Sequence, residues 1–236
     1  MFKAESLGLK EIQNSNTIKT PKPICYGHTN DSSYLVLEFI SLSGAINQAT
    51  MGRQLAKMHQ TTNSNFGWKY DNTIGSTPQQ NQENDSWLSF WKEQRLIYQL
   101  ELALKKGYSK SAYEKGLRLA NTLRSFFDTY HPLPSLLHGD LWGGNCAADS
   151  ENNPVIYDPA VYYGDREADL AMTELFGGFN NEFYSAYNNE YPLHTDYKTR
   201  KTLYNLYHIL NHYNLFGGGY ASQATSMTEY LLSEIS

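Results

Sequence analysis

The sequence predicts an α+β fold in which a few strands near the start precede a mostly helical body. Two short apolar runs, 24–26 and 34–39, flank the turn-forming segment 30–33, which is typical of an antiparallel hairpin. From residue 87 onward apolar residues recur mainly at helical spacing, interrupted by short strand-like pieces around the loops 138–145 and 158–159. Strands gathered in one part and helices in another indicate the α+β class.

The remaining elements follow from the same spacing rules. Helices are predicted over 2–12, near 51–59, over 87–106, over about 111–130, and after 168 with breaks at 177–178 and 217–219. The Asn- and Gln-rich segment 61–85 is predicted to be a long loop that lines a site or moves. In the first helix Glu5 shares a face with Phe2, Leu9 and Ile12, and burying an acid there is costly unless it meets a cation.

Composition excludes several classes of protein. The 236 residues carry a formal charge of −5, and 14% of them are aromatic, which argues against disorder and against charge-driven nucleic-acid binding. No apolar run reaches the length of a membrane span, and the first residues lack the pattern of a signal peptide. We therefore expect a cytoplasmic protein with no nucleic-acid or membrane partner, in which Cys25 and Cys146 are reduced thiols.

Three polar residues form the pattern that points to chemistry. Asp140 and Asn145 lie in a Gly-rich loop, and Asp158 ends a predicted strand. Kinase-like phosphoryl transfer needs one carboxylate to accept a hydroxyl proton, and an amide oxygen and a second carboxylate to hold Mg²⁺. Gly143 and Gly144 are expected to let the loop turn sharply enough to bring Asp140 and Asn145 together. Asp and Asn also serve simple turns, so this spacing alone fits a structural loop as well.

The complete motifs resemble those of one family. His138–Asn145 (HGDLWGGN), Asp158–Asp169 (DPAVYYGDREAD) and Asn214–Tyr220 (NLFGGGY) resemble the fructosamine/ketosamine-3-kinase family. The similarity extends to residues 1–9, 35–38 and 203–211, so it spans nearly the whole chain. The family belongs to the aminoglycoside-phosphotransferase-like branch of the protein-kinase-like fold. The resemblance implies two lobes: residues 1–40 as a remnant of the nucleotide-binding lobe, and residues 41–236 as a helical catalytic lobe.

The resemblance also implies a role for each matching residue. Asp140 would be the catalytic base toward a sugar hydroxyl, and Asn145 and Asp158 would be the Mg²⁺ ligands. Main-chain groups of Glu38 and Ile40 would meet the adenine of ATP at the hinge between the lobes. The implied reaction is ATP- and Mg²⁺-dependent phosphorylation, at O3, of a small-molecule or protein-bound ketosamine such as fructosamine or ribulosamine, which is a deglycation activity.

Neighbouring residues receive supporting or structural roles. His138 is expected to brace the loop, while Asp165, Arg166 and Asp169 are expected to form a charged network beneath it. Trp142 either stacks on a flat substrate or fills the wall of the cleft. We expect purely structural roles for the remaining polar candidates, which are His59, Asn211, His212 and Cys146.

The N-terminal end departs from the family pattern. In the family, Glu5 of the MFxAE helix pairs with a lysine on a preceding strand, which follows a loop that covers the phosphates. Met1 begins this helix, so neither lysine nor loop has a counterpart here, and Lys3 and Lys10 lie on the helix itself. The sequence therefore predicts a truncated N-terminal lobe whose exposed sheet edge could pair.

Three hypotheses explain this departure. The sequence is shortened, which we favour; a separate chain supplies the lobe; or the protein is a non-catalytic remnant that binds nucleotide or a partner. A different small-molecule kinase of the aminoglycoside and choline kinase superfamily is the alternative enzyme.

Overall fold

The front of the molecule is a helix packed against a hairpin. In the computed structural model, which describes residues 1–235, helix α1 (Phe2–Asn14) packs on the antiparallel strands β1 (Pro23–His28) and β2 (Ser33–Leu37). Leu9 and Ile12 of α1 are fully buried, as their spacing on one face requires. The predicted first helix and hairpin are both confirmed.

The body consists mainly of helices. They are α2 (Gln48–His59), α3 (Trp87–Trp91), α4 (Tyr98–Lys105), α5 (Lys110–Asn121), α6 (Glu167–Leu175), α7 (Asn181–Glu190), α8 (Tyr197–Phe216) and α9 (Tyr220–Ser233). Helix α2 packs against α7, and α8 packs against α6 and α9. No helix within residues 1–235 is both long and apolar enough to cross a membrane.

Two of the predicted helices are interrupted. A π-helical turn, Lys92–Ile97, joins α3 to α4, so the helix predicted over 87–106 is irregular at its centre. Helix α5 ends at Asn121, and the prediction of a helix reaching residue 130 is wrong. The Thr122 hydroxyl donates to the carbonyl oxygens of Arg118 and Leu119 at 3.2 and 3.0 Å, and such side-chain bonds compete with continued helix. A 3₁₀ turn over Leu123–Phe126 follows.

The Asn- and Gln-rich segment contains a hairpin that the sequence analysis missed. Strands β3 (Asn72–Ile74) and β4 (Thr77–Gln79) pair antiparallel within the predicted loop. The buried polar side chains of these strands bond one another and Asn81, which follows β4: Gln79 Nε2 donates to Asn72 Oδ1 at 2.8 Å, and Asn81 Nδ2 donates to the same oxygen at 2.9 Å. Asn81 Oδ1 in turn accepts from Arg95 Nη2 at 2.7 Å. The buried Arg95 guanidinium also lies 4.2 Å from the ring centroid of Tyr162.

Four short strands sit among the helices and carry the motif loops. Strand β5 (Ser135–Leu137) pairs antiparallel with β8 (Tyr162–Gly164), and β6 (Cys146–Ala148) pairs antiparallel with β7 (Pro154–Ile156). Leu136, Leu137 and Ile156 are completely buried, so these strands are fixed in the core. The loops that leave β5 and β7 are therefore held at a rigid base.

A buried ion pair joins two of the body helices. Glu167 of α6 accepts from Arg200 of α8 through two bonds, Nε to Oε2 at 2.7 Å and Nη2 to Oε1 at 3.0 Å. The third guanidinium nitrogen donates to the Phe126 carbonyl oxygen at 3.2 Å, and Tyr130 stacks on the guanidinium at 4.1 Å. The bidentate geometry fixes the relative orientation of the two helices.

Candidate active site

Two loops meet to form the site. The first, residues 138–145, follows β5, and the second, residues 157–161, follows β7. The Tyr157 N–H donates to the Asn145 carbonyl oxygen at 3.1 Å, and the Ala160 N–H donates to the His138 carbonyl oxygen at 2.8 Å. These main-chain bonds tie the loops together and bring the residues of the sequence motif to one place.

Asp140 and Asn145 are in direct contact. Asn145 Nδ2 donates to the main-chain oxygen of Asp140 at 2.9 Å and to its Oδ2 at 3.3 Å. Because the amide nitrogen makes both bonds, Asn145 Oδ1 is not needed for them and could serve as a ligand. Burial, together with the carboxylates of Asp158 and Asp169, raises the pKa of Asp140 to about 7. A carboxyl group in such surroundings is a stronger base than an ordinary aspartate.

At two glycines of the first loop a Cβ would approach other atoms closely. Gly139 has φ +82°, and a Cβ there would lie 2.1 Å from the Ala160 carbonyl oxygen of the second loop. At Gly144 a Cβ would lie 2.3 Å from the Trp142 ring. The sequence argument assigned Gly144 to a sharp turn, and the structure shows that the indole also needs this space.

Asp158 has an unusual backbone for a residue with a side chain. Its φ is +55°, in the left-handed region, and it is solvent-exposed beside Asp140 in the cleft. The residues after it are held by the β3–β4 hairpin, because Asn72 Nδ2 donates to the Val161 carbonyl oxygen at 2.8 Å and Gln79 Nε2 donates to that of Ala160 at 3.1 Å. Sequence reasoning missed these two amides. The Gly75-Ser76 turn flanked by the β-prone residues Thr73, Ile74 and Thr77 was the available signal.

His138 bridges the two loops. Its Nε2 donates to the Tyr157 carbonyl oxygen at 3.0 Å, and its Nδ1 accepts from the Asp140 N–H at 3.3 Å. A neutral ring protonated on Nε2 satisfies both bonds, and burial lowers the pKa of His138, which favours that neutral form. These two bonds link the His138 ring to the second loop and to the main chain of Asp140.

Asp169 holds the main chain of the first loop. It accepts from the His138 N–H at 2.7 Å and the Gly139 N–H at 2.8 Å, and from His59 Nε2 at 3.1 Å. Burial acts to raise the pKa of Asp169, but the His59 bond, the two nearby histidines and the Gly139 N–H together lower it. His59 is therefore linked to the first loop through Asp169. Its Nδ1 also forms a hydrogen bond with the Tyr187 hydroxyl at 2.8 Å.

Asp165 and Arg166 bond to other partners than Asp169. Asp165 accepts from the hydroxyl groups of Tyr130, at 2.8 Å, and Tyr204. Arg166 donates to the carbonyl oxygens of Tyr191 and Pro192 at 2.8 and 2.5 Å. Of the three residues predicted to form one charged network, Asp169 alone bonds the first loop among the described residues.

A small cavity lies on the α1 side of the two loops. Its volume is about 180 Å³, and Glu5, Asp140 and Asp158 all line it. Burial and the negative charge of Asp158 raise the pKa of Glu5 to about 7. Within residues 1–235 no lysine or arginine forms an ion pair with Glu5.

A larger cavity of about 540 Å³ lies on the other side. Asp140, Asn145 and Asp158 line it together with Trp142 and a group of residues from the helix ends, namely Met172, Phe176, His208, Asn211, His212, Leu215, Phe216 and Tyr220. Asn211 and His212 were expected to be purely structural, but both face this cleft. The Gly-rich breaks near 177 and 217, which place helix ends here, were the signal that could have identified this wall.

The remaining predicted residues lie in the hairpin region. The Glu38 N–H donates to the Lys22 carbonyl oxygen at 2.8 Å, and its carboxylate accepts from the Lys22 N–H at 3.2 Å. Ile40 follows in the irregular segment after β2 and is partly exposed. Both cysteines are free: Cys25 is exposed, whereas Cys146 is buried, and burial raises the pKa of its thiol to about 11.

Comparison with known proteins identifies relatives along the whole chain. The family model described as fructosamine kinase matches residues 1–234. A Synechocystis protein named probable ketoamine kinase is 48% identical over 98% of this chain and 79% of its own length. The chloroplastic protein-ribulosamine 3-kinase of Arabidopsis thaliana is 46% identical over 97% of this chain and 71% of its own length.

Solved structures agree with these relatives. A crystal structure from Haemophilus somnus, whose description assigns it provisionally as a fructosamine-3-kinase, is 30% identical with a TM-score of 0.89, covering 98% of this chain and 79% of that chain. A choline kinase from Streptococcus pneumoniae matches with a TM-score of 0.63 at 13% identity, over 99% of this chain and 81% of that one, which shows the shared kinase-like fold alone. This α+β chain therefore belongs to the fructosamine kinase family.

Proposed function

We propose that this protein transfers the terminal phosphoryl group of ATP to a sugar hydroxyl, at O3, of a ketosamine such as a ribulosamine or fructosamine. The observation that carries the proposal is the meeting of two cavities at the same carboxylates. Asp140 and Asp158 line both the small cavity beside Glu5 and the large cavity beside Trp142. A donor on one side and an acceptor on the other would place the reacting groups between them.

Asp140 accepts the proton of the acceptor hydroxyl while the oxygen of that hydroxyl attacks the γ-phosphorus of ATP. The bond between that phosphorus and the bridging oxygen breaks, and ADP leaves with the bonding electrons. The main-chain bonds from His138 and Gly139 to Asp169 keep Asp140 in position during this step. Hinge contacts from Glu38 and Ile40 to the adenine, and residues 1–40 as the nucleotide-binding lobe, are parts of the same proposal.

The oxygen donors at the site suit Mg²⁺. Asn145 Oδ1 and the Asp158 carboxylate are hard ligands, and residues 1–235 offer no group of three or more His, Cys, Asp or Glu side chains that could hold a metal. Mg²⁺ typically takes one or two protein carboxylates and completes its shell with phosphate and water. Held by Asn145 and Asp158, it would neutralise charge on the phosphates.

ADP release measured with four acceptors tests the proposal. With ATP and Mg²⁺ present, we expect turnover of a ribulosamine and a fructosamine but not of choline or an aminoglycoside. Asp140→Asn is expected to lower kcat by about 10²–10⁴-fold, the usual range for loss of a general base. Asp128→Asn, at an exposed carboxylate that lines neither cavity, is the matched control and should leave kcat unchanged.

Each contrary result identifies a different error. Turnover of choline with no turnover of either ketosamine would support another small-molecule kinase of this fold. Binding of nucleotide without ADP release from any acceptor would support a non-catalytic protein. Retained kcat in Asp140→Asn would show that another group is the base.

A cytoplasmic location also belongs to the proposal, since both thiols are free, while the Arabidopsis thaliana relative is named chloroplastic.

A further inference from the structure

We propose that an aromatic wall in the large cavity binds the protonated amine of the acceptor and thereby selects ketosamines over neutral sugar derivatives. The aromatic wall consists of Trp142, Phe176, His212, Phe216 and Tyr220. The inference rests on the proposed function, since it concerns how the same cleft recognises its acceptor. It names the chemical feature that is recognised, a secondary ammonium with an alkyl substituent.

The rings of the aromatic wall form one continuous, non-planar surface. The Phe176 ring lies 6.4 Å from that of Trp142 and 4.8 Å from that of His212, measured between centroids. His212 in turn lies 5.6 Å from Phe216 and 5.2 Å from Tyr220, and all four pairs are inclined at 43–73°. Inclined rings present faces and edges in several directions, so a small cation inside the cleft can approach more than one π-face.

The charges of the cavity favour a cation. Asp140 and Asp158 line it, whereas no lysine or arginine of residues 1–235 does so. The only other titratable side chains in the lining, besides Tyr220, are His208 and His212. Burial lowers the pKa of His208 to about 3, so this ring is neutral at physiological pH. Apart from the Mg²⁺ proposed above, a positively charged acceptor therefore meets no fixed positive charge among the lining residues, and an anionic acceptor would meet the carboxyl groups of Asp140 and Asp158.

His212 adds a hydrogen-bonding group to the aromatic wall. Its Nδ1 lies 2.8 Å from the His208 carbonyl oxygen, which can only accept, so Nδ1 carries the hydrogen. In the neutral ring Nε2 is then left as an acceptor. A secondary ammonium has two N–H donors, and an ether oxygen at the same position of a sugar derivative has none. The pairing of an acceptor with π-faces thus matches an amine more closely than an ether.

The outer end of the aromatic wall is open to solvent. Phe216 is 69% exposed and ends α8, and Tyr220 begins α9 after the glycines 217–219. Trp142 is also 39% exposed. A substituent on the amine can therefore extend out of the cleft. The same recognition would serve a free ketosamine of a small amine and a ketosamine formed on a lysine side chain of a protein.

The test compares a cation with its neutral isostere. The probes are 1-deoxy-1-(butylamino)fructose and 1-O-butylfructose, which differ in the amine and the ether oxygen, and each is titrated calorimetrically in the presence of a non-hydrolysable ATP analogue and Mg²⁺. Wild-type protein is expected to bind the amine about tenfold more tightly, within the range of a partly desolvated cation–π contact. A short glycated-lysine peptide tests the protein-bound source, and equal affinity for it shows that the open end admits a polypeptide.

Leucine keeps an apolar side chain at the site and leaves the carboxylates in place, so leucine variants isolate the contribution of the aromatic ring faces to amine binding. In Phe216→Leu and Tyr220→Leu the preference for the amine should fall to about threefold or less, while affinity for the ether stays within about twofold. Tyr230→Leu, at another partly exposed α9 tyrosine outside the cavity, should retain the wild-type ratio.

The outcomes distinguish this inference from the proposed function. An unchanged ratio in both wall variants, or equal binding of amine and ether by wild type, overturns the inference even if ketosamines are phosphorylated. A preference for the amine that both wall variants lose, without ADP release from any acceptor, supports the inference as a binding property and refutes the proposed function.

Discussion

Replacing Asp169 by Asn tests whether its carboxylate positions the first loop, residues 138–145, and with it the proposed base Asp140. The carboxylate accepts three hydrogen bonds, from the main-chain N–H groups of His138 and Gly139 and from His59 Nε2. An amide of the same size offers a single oxygen, and its NH₂ group must face at least one of these donors. Asp169→Asn therefore leaves a buried N–H without an acceptor and replaces charge-assisted bonds by neutral ones.

The magnitude follows from the number and kind of bonds. An unsatisfied buried donor costs about 1–3 kcal/mol, and weakening each remaining charge-assisted bond costs about 1 kcal/mol. The free energy of unfolding should fall by about 3–5 kcal/mol, measured by urea denaturation. Because displacement of a catalytic group by about 1 Å can cost about 10²-fold in rate, kcat should fall by about that factor, measured as ADP release well below the unfolding transition.

Asp149→Asn is the matched control. The Asp149 carboxylate also accepts from two main-chain N–H groups, those of Glu151 and Asn153, each at 2.9 Å, but it lies in the β6–β7 turn and lines neither cavity. It should retain kcat whatever its stability. An Asp169→Asn protein that is destabilised yet turns over at the wild-type rate would refute the idea that this carboxylate positions Asp140. One that is as stable as wild type would refute the bond count itself.

Three further predictions concern stability, pH and thiol chemistry. Arg200→Met should lower the free energy of unfolding, measured in urea, by about 3–5 kcal/mol, because the Glu167 carboxylate stays buried without its partner. The control Lys201→Met removes a partly exposed ion pair with Glu174 and should cost about 0–1 kcal/mol. Equal losses in the two variants would contradict the conclusion that the buried pair matters more. The pKa of His208 is lowered to about 3, so its contribution to stability is complete above the unfolded pKa near 6.5 and is lost as pH falls toward the folded value. As pH falls from about 7.5 to about 5.5, this contribution of His208 to the free energy of unfolding should fall by about 1.4 kcal/mol in wild type, and His208→Gln should lack this part of the pH dependence. Equal pH dependence of the free energy of unfolding in the two proteins would refute the lowered pKa of His208. A disulfide reagent should modify Cys25 rapidly and Cys146 only after unfolding, so two fast thiols in the native protein would contradict the burial of Cys146.

The parts of this molecule that sequence could predict are set by local chemistry. Phe2–Asn14 forms a helix because its apolar residues share a face, and the front hairpin forms around a recognisable turn. The contact of Asp140 with Asn145 follows from a loop of only a few residues. Each of these features depends on neighbours along the chain, so spacing and turn chemistry were sufficient.

The features that were missed depend on residues distant in the chain. Asn72 and Gln79 are typical of loops by composition, and become buried because their amides bond the main chain near residue 160 and, for Asn72, the side chain of Asn81. His59 shows no local sign of its bond to Asp169, which lies in a different helix. The aromatic wall likewise joins residues from the loop after β5 with the ends of α6, α8 and α9. The periodicity within a single helix or strand carries no information about such contacts between residues distant in the sequence.

The left-handed backbone at Asp158 limits which residues this position can accept. A β-branched or long side chain is strained at φ +55°, whereas Asp, Asn and Gly adopt this conformation readily. Glutamate keeps the charge but loses this local tolerance, and glycine keeps the backbone but loses the carboxylate. Aspartate alone combines a negative charge with ease in this conformation. The requirement of the backbone and the proposed requirement of the metal therefore select the same residue independently, and a search for substitutes at this position would have to satisfy both at once.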